Sequence, residues 1–114
     1  MVLEAQESNK RKNEIDKKIR EVSNFKIKLD ISSLMIRLDK IEETLNQHFS
    51  FMSNVQVERM LRALAKTSYQ ITKKINIKLK TVKLQNKRDY LHFIYRRTIN
   101  KKNRLVRNYK IKTQ

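Results

Sequence analysis

The apolar positions of this chain fall into helical stripes over most of its length. Ile15, Ile19 and Val22, then Phe25 or Lys26, then Leu29 recur at spacings of three or four. That spacing predicts a first helix over residues 8–30 with one narrow apolar face. Lys10, Arg11, Lys12, Lys17, Lys18 and Arg20 lie largely off it. Ser32-Ser33 reads as a helix cap or a soft break. From Ile31 a stricter heptad runs through Leu34, Leu38, Ile41, Leu45, His48 and Met52, the seam of a coiled coil or helical hairpin.

Ser53 with Gln56 three residues later is a capping box, so the next helix should begin near Asn54. Val57, Met60, Leu61, Leu64 and Ala65 then share an apolar face, and Arg59, Arg62, Lys66 and Lys73 a basic one. Between Ile75 and Thr81 the pattern fits a strand by alternation and a helix through Ile71, Ile75, Leu79 and Val82. With no second strand in the sequence, helix or extended chain is preferred there, and residues 72–86 are left open. Asn86 and Asp89 mark a last helix start, which carries Leu91, Ile94, Tyr95 and Thr98 on one face. Asn103 to Gln114 has little apolar periodicity and is expected to be an extended tail, with residues 100–114 disordered in the free protein.

Composition sharpens this all-α reading. Average usage would place ~8 Gly and ~6 Pro in this length, and the chain has none of either. Tight turns with positive φ would then fall to Asn, so long helices with few turns are expected. The hydrophobic fraction is 39% and the charged fraction 34%, against usual values of ~45–50% and ~25%. That supports a thin helix–helix seam rather than a thick core. Residues 15–52 are expected to fold back as a hairpin or to pack on a foreign protein. The chain is organised as a helical segment over 1–53 and a basic extension over 54–114. Without Cys there is no disulfide, thiolate metal site or Cys nucleophile. Neither a signal peptide nor an apolar run of ~18 residues is visible, so a soluble, cytoplasmic protein without membrane contact is expected.

Charge divides the chain more sharply than hydropathy does. Residues 1–57 hold ten Lys/Arg and nine Asp/Glu, whereas residues 58–114 hold eighteen Lys/Arg against only Glu58 and Asp89. A surface so one-sided repels itself unless a polyanion lies against it, and a phosphate backbone is the densest available. The candidate RNA-binding residues are Arg59, Arg62, Lys66, Lys73, Lys74, Lys87, Arg88, Arg96, Arg97, Lys101, Lys102, Arg104, Arg107, Tyr109 and Lys112. Arg forks onto phosphates and stacks on bases, and the interleaved Tyr90, Phe93, Tyr95 and Tyr109 offer flat faces. RNA is favoured over DNA, because no helix-turn-helix spacing, zinc motif or basic-zipper layout is visible.

Catalytic chemistry has little to work with. Asp39, Glu42 and Glu43 sit at i, i+3, i+4 but read as the solvent face of a heptad helix, beside Arg37 and Lys40. His48 and His92 are isolated, without a second ligand at i+3 or i+4. Without Gly there is no phosphate-cradling loop. No enzymatic activity, metal, cofactor or small-molecule substrate is expected.

Lys10-Arg11-Lys12-Asn13-Glu14-Ile15, followed by Lys17, Ile19 and Val22, has the order of a family in which a basic patch precedes Glu-Leu and a Leu-striped helix. The ending Arg107-Asn108-Tyr109-Lys110-Ile111-Lys112 is similar to that family's eukaryotic signature Arg-Lys-Tyr-Ala-Ile-Lys. The chain thus resembles the universal large-subunit ribosomal protein family numbered twenty-nine, thirty-five in the older eukaryotic naming. The family's basic second helix would fall to residues 34–49 or to the stretch from Arg59 to Lys66. The resemblance implies an antiparallel helical hairpin on ribosomal RNA near the nascent-chain exit, beside neighbouring ribosomal proteins. It also implies a basic extension over further RNA and no chemistry of its own. Two other classes compete: a dimeric coiled-coil DNA-binding protein, viral or plasmid-borne, and a helical adaptor. Ser33, His48 and the broken register near Lys26 weigh against a self-sufficient dimer seam.

Overall fold

A computed structural model of the chain describes residues 2–111, with side chains from Gln6 onward. Four helices follow one another: α1 (Val2–Ser23), α2 (Ile31–His48), α3 (Asn54–Leu79) and α4 (Gln85–Asn108), with a 3-10 turn at Phe49–Phe51. The fold is all-α, and no strand occurs among the described residues. Chain direction alternates, and two registers record it. Arg11 stacks on Phe51 (3.8 Å) and Asp16 accepts from Gln56 Nε2 (2.9 Å), a constant offset of forty that sets α1 parallel to the start of α3. Asp39 meets Lys101 and Glu42 meets Arg104, a constant offset of sixty-two that sets α2 parallel to α4. Helix α3, 26 residues and about 39 Å long, packs against all three others. The molecule measures 63 × 28 × 18 Å, so it is an elongated slab about two helix diameters thick.

The apolar stripes largely find each other. Ile15, Ile19 and Val22 of α1, Leu34, Leu38, Ile41 and Leu45 of α2, and Val57, Met60, Leu64, Ile71 and Ile75 of α3 are all buried in one cluster. That cluster also takes in Leu91, Ile94 and Leu105 of α4, so both halves of the chain contribute to it. On α3 the buried alanine is Ala63, and Ala65, expected on the apolar face, is exposed. Met60, Ala63, Leu64 and Thr67 centre the buried face, and Ala65, about 100° further round than Leu64, falls outside it. Met52 is buried as expected, but it lies beyond α2, after the 3-10 turn.

Side-chain caps, rather than glycine, set the boundaries. Helix α1 ends at Ser23, earlier than the expected residue 30, where Asn24 Oδ1 accepts from the Lys26 N–H and closes a local turn. Phe25 and Leu29 reach the core from this linker rather than from a helix. The break therefore precedes Ser32-Ser33, and the cap is Asp30, whose carboxylate accepts from Ser33 N–H at 2.8 Å. That bond, aided by the Ser33 side chain and by Lys78 and Lys74, holds Asp30 below its ordinary 3.8. At α3 the capping box forms in both directions, with Gln56 N–H donating to Ser53 Oγ and Ser53 N–H donating to Gln56 Oε1.

Residues 72–79 continue α3, whose inner face buries Ile71 and Ile75, and α3 packs on α4 as well as on α1 and α2. The turn into α4 uses no positive φ, and neither does any other described residue, Asn included. It is closed instead by Arg88, whose Nη1 donates to the carbonyls of Leu79 (2.6 Å) and Val82 (2.9 Å). The Leu79 carbonyl is one that the end of α3 leaves without a helical partner, and Val82 lies in the turn itself. Helix α4 starts at Gln85, one residue before the expected Asn86, on a Leu84 cap that has no side-chain acceptor. Asn86 instead accepts from Lys87 N–H, and Asp89 from Gln85 Nε2. Arg88→Ala should destabilise the protein by about 1–3 kcal/mol in urea unfolding, the cost of losing a charged donor to two carbonyls. Arg88→Lys should recover only part, since its ammonium lacks the planar fork.

The largest correction concerns the C-terminus. Asn103–Gln114 was expected to be an extended tail, yet α4 runs to Asn108 and Leu105 is 1% exposed. Ion pairs to α2 bring this segment down. Lys101 Nζ lies 2.6 Å from Asp39 and 3.5 Å from Glu42, and Arg104 Nη2 lies 2.5 Å from Glu42. One turn further, Tyr109 stacks edge-on against Phe49 at 5.0 Å and its hydroxyl donates to Asn46 Oδ1. The part of the expected tail at 112–114 lies outside the described residues.

Candidate nucleic-acid interface

Burial of Leu91, Ile94, Thr98 and Leu105 fixes which side of α4 faces out. Opposite them, at i, i+7 spacings that stack along a helix, stand Phe93–Asn100–Arg107, Arg96–Asn103 and Arg97–Arg104. These seven side chains, with Lys101 and Glu42 at the edge, line one open groove. Arg96 and Arg107 are about 16 Å apart along the axis, a span that reaches several phosphates of a nucleic-acid strand. Glu42 is the groove's sole acid, and its two oxygens already engage Lys101 and Arg104. Phe93 is 56% exposed amid these polar groups.

A second basic surface runs along α3. Arg59, Arg62, Lys66 and Lys73 are exposed on one side of it, together with Tyr69. Several of these cations have intramolecular partners. Arg62 pairs with Glu58 at 2.9 Å, Lys66 lies 5.0 Å from the Phe25 ring, and Lys73 lies 5.9 Å from the Tyr69 ring. Arg37 also lies over the Phe25 ring, at 5.3 Å, and burial lowers its guanidinium below the ordinary arginine value.

The expected RNA-binding residues therefore separate into groups. Arg96, Arg97, Arg104 and Arg107 converge on the α4 groove. Arg59, Arg62, Lys66 and Lys73 form the α3 side, while Lys74 and Lys102 are half-buried. Arg88 is engaged in closing the α3–α4 turn, Lys101 in bridging Asp39 and Glu42, and Tyr109 in packing on α2 and its 3-10 turn. Lys87 is exposed in the first turn of α4, and Lys112 lies outside the described residues. Asn100 and Asn103 were not singled out in the sequence, although the i+7 repeat through Phe93, Arg96 and Arg97 would have shown them.

Asp39 and Glu42 have a clear structural use, as the anchor points of α4. Among the described residues no group of three or more His, Asp or Glu could hold a metal, and no helix is long and apolar enough to cross a membrane. Family models, curated proteins and solved structures yield no match to this chain.

Glu42→Gln should leave Arg104 without its ionic partner and remove the one carboxylate from the groove. RNA affinity is expected to rise a few-fold, with a melting temperature lowered by a few degrees, as for a pair that is only partly exposed. Filter binding and thermal melting of the variant check both.

Proposed function

We propose that this protein is a structural RNA-binding protein, which holds folded RNA through its phosphates along the outer face of α4. One observation carries the reading: Arg96, Arg97, Arg104 and Arg107 share one open groove whose single acid is already paired. Guanidinium groups in register along a helix suit successive phosphates, which give affinity without fixing a sequence. The basic face of α3 and the excess of eighteen Lys/Arg over two acids beyond residue 57 extend the attractive field. Large-subunit ribosomal RNA is the target to which the resemblance of residues 10–22 and 107–112 points, with neighbouring ribosomal proteins and a cytoplasmic setting. In this reading the groove binds and does no chemistry of its own.

Affinity for a ribosomal RNA fragment and for duplex DNA, titrated from ~50 to ~200 mM salt, tests this reading. With ~6–10 phosphate contacts, affinity should fall ~10³–10⁵-fold over that range. RNA should bind more tightly than the duplex at every salt concentration. A shallow slope, or a preference for the duplex, would overturn the proposal in favour of the adaptor or the DNA-binding reading respectively.

A further inference from the structure

A second surface, away from the α4 groove, combines apolar and basic groups in a different way. The linker between α1 and α2 lies against the C-terminal half of α3, and between them runs a groove floored by Phe25, Ile27, Leu29 and Ile77. Phe25 and Leu29 also touch the core, but Ile27 and Ile77 remain 57% and 55% exposed. Lys28, Lys73 and Lys74 edge the groove, and no acid lines it. The nearby carboxylate of Asp30 is held by Ser33 at the start of α2.

We propose that this groove docks the apolar face of an acidic amphipathic helix from a partner protein. The chemistry of the floor and rim selects that occupant. Aliphatic Ile27, Leu29 and Ile77 offer apolar area without flat stacking faces, and two cations, Arg37 and Lys66, already stack over the Phe25 ring. An unpaired base therefore has no platform here, in contrast to Phe93 on α4. Gln70, Lys73, Lys74 and Ile77 follow one side of α3 for two turns, about 10 Å. That length receives apolar residues at i, i+3 or i+4, and i+7 of a facing helix. The three lysines sit where the acidic flanks of such a helix would lie, which gives charge complementarity across the rim.

The test uses a fluorescein-labelled 16-residue peptide with Leu at i, i+4, i+7 and i+11 and Glu at most other positions. A scrambled peptide of the same composition and a single-stranded oligo-U serve as comparators, in fluorescence anisotropy with the full chain. The patterned peptide should bind at least about tenfold more tightly than the scrambled one, since burial of one Ile or Leu side chain amounts to that factor or more. Ile27→Asp with Ile77→Asp should weaken it about tenfold or more, and Lys73→Glu with Lys74→Glu should do the same. Replacing Arg96, Arg97, Arg104 and Arg107 by Ala should leave it unchanged, which separates this site from the α4 groove. All substituted side chains are exposed or half-buried, and circular dichroism with thermal melting verifies the fold. Equal binding of the scrambled peptide would overturn the proposal, as would insensitivity to the isoleucine changes. So would oligo-U binding that is lost with the isoleucines while the patterned peptide fails to bind.

Discussion

Replacing Arg96, Arg97, Arg104 and Arg107 together by alanine is expected to weaken binding to a large-subunit ribosomal RNA fragment by on the order of 100-fold at ~0.15 M salt. Each lost phosphate contact removes ~0.7–0.9 of a unit from the slope of log affinity against log salt. The log–log slope should therefore flatten by about three to three and a half units for four lost contacts. The loss should be nearly uniform across RNA sequences, because phosphate contacts position without specifying. Stability should change little: these side chains are exposed, and only Arg104 is held by a carboxylate. Filter binding over a salt series, alongside thermal melting, gives both quantities. If affinity and slope stayed at wild-type values in a folded variant, the outer face of α4 would not be the RNA surface.

Leu105→Ala is expected to cost about 2–5 kcal/mol, the range for emptying a buried leucine site. That is a large share of the ~5–15 kcal/mol available to a small domain. Leu105 is the one fully buried apolar side chain in the last three turns of α4. Around it the attachment rests on partly exposed contacts: the pairs to Asp39 and Glu42, and Tyr109 against Phe49. The variant should lose amide-exchange protection over 99–108 before the rest of the molecule opens. In the wild type those amides should be protected without any RNA present. Free exchange across them in the wild type would restore the extended tail that local periodicity alone predicts.

What could be read in advance was what is local. The stripes Ile15–Ile19–Val22 and Leu34–Leu38–Ile41–Leu45 are buried as their spacing required, and the capping box at Ser53 and Gln56 forms with both bonds. The same spacing rule failed at the C-terminus for a physical reason. Between Thr98 and Asn108 the packing is carried by Leu105 alone among fully buried apolar residues, with side chains held to partners about sixty residues earlier. No window of the sequence contains both members of those pairs. The signal existed only as matched spacing: Asp39 and Glu42 are three apart, as are Lys101 and Arg104. The turn at residues 80–84 was hidden in the same way, because its cap comes from Arg88, a residue whose charge suggested RNA instead. Within the α4 face the arginines were legible from charge, while Asn100 and Asn103 carry no charge and were visible only through the i+7 repeat.

The paired carboxylate of Glu42 changes what an anion does when it arrives in the α4 groove. At Arg96, Arg97 and Arg107 a phosphate adds to a solvated guanidinium. At Arg104 Glu42 already holds Nη2, so a phosphate that takes that nitrogen enters as a replacement. Addition releases condensed ions from the nucleic acid with no loss inside the protein, whereas replacement also breaks a carboxylate contact. Helix α2 thus supplies the groove with a resident anion of its own. Each phosphate that reaches Arg104 is worth the difference between two ligands, so this position should favour a polyanion held in place by its neighbours over any single ion drifting in from solution.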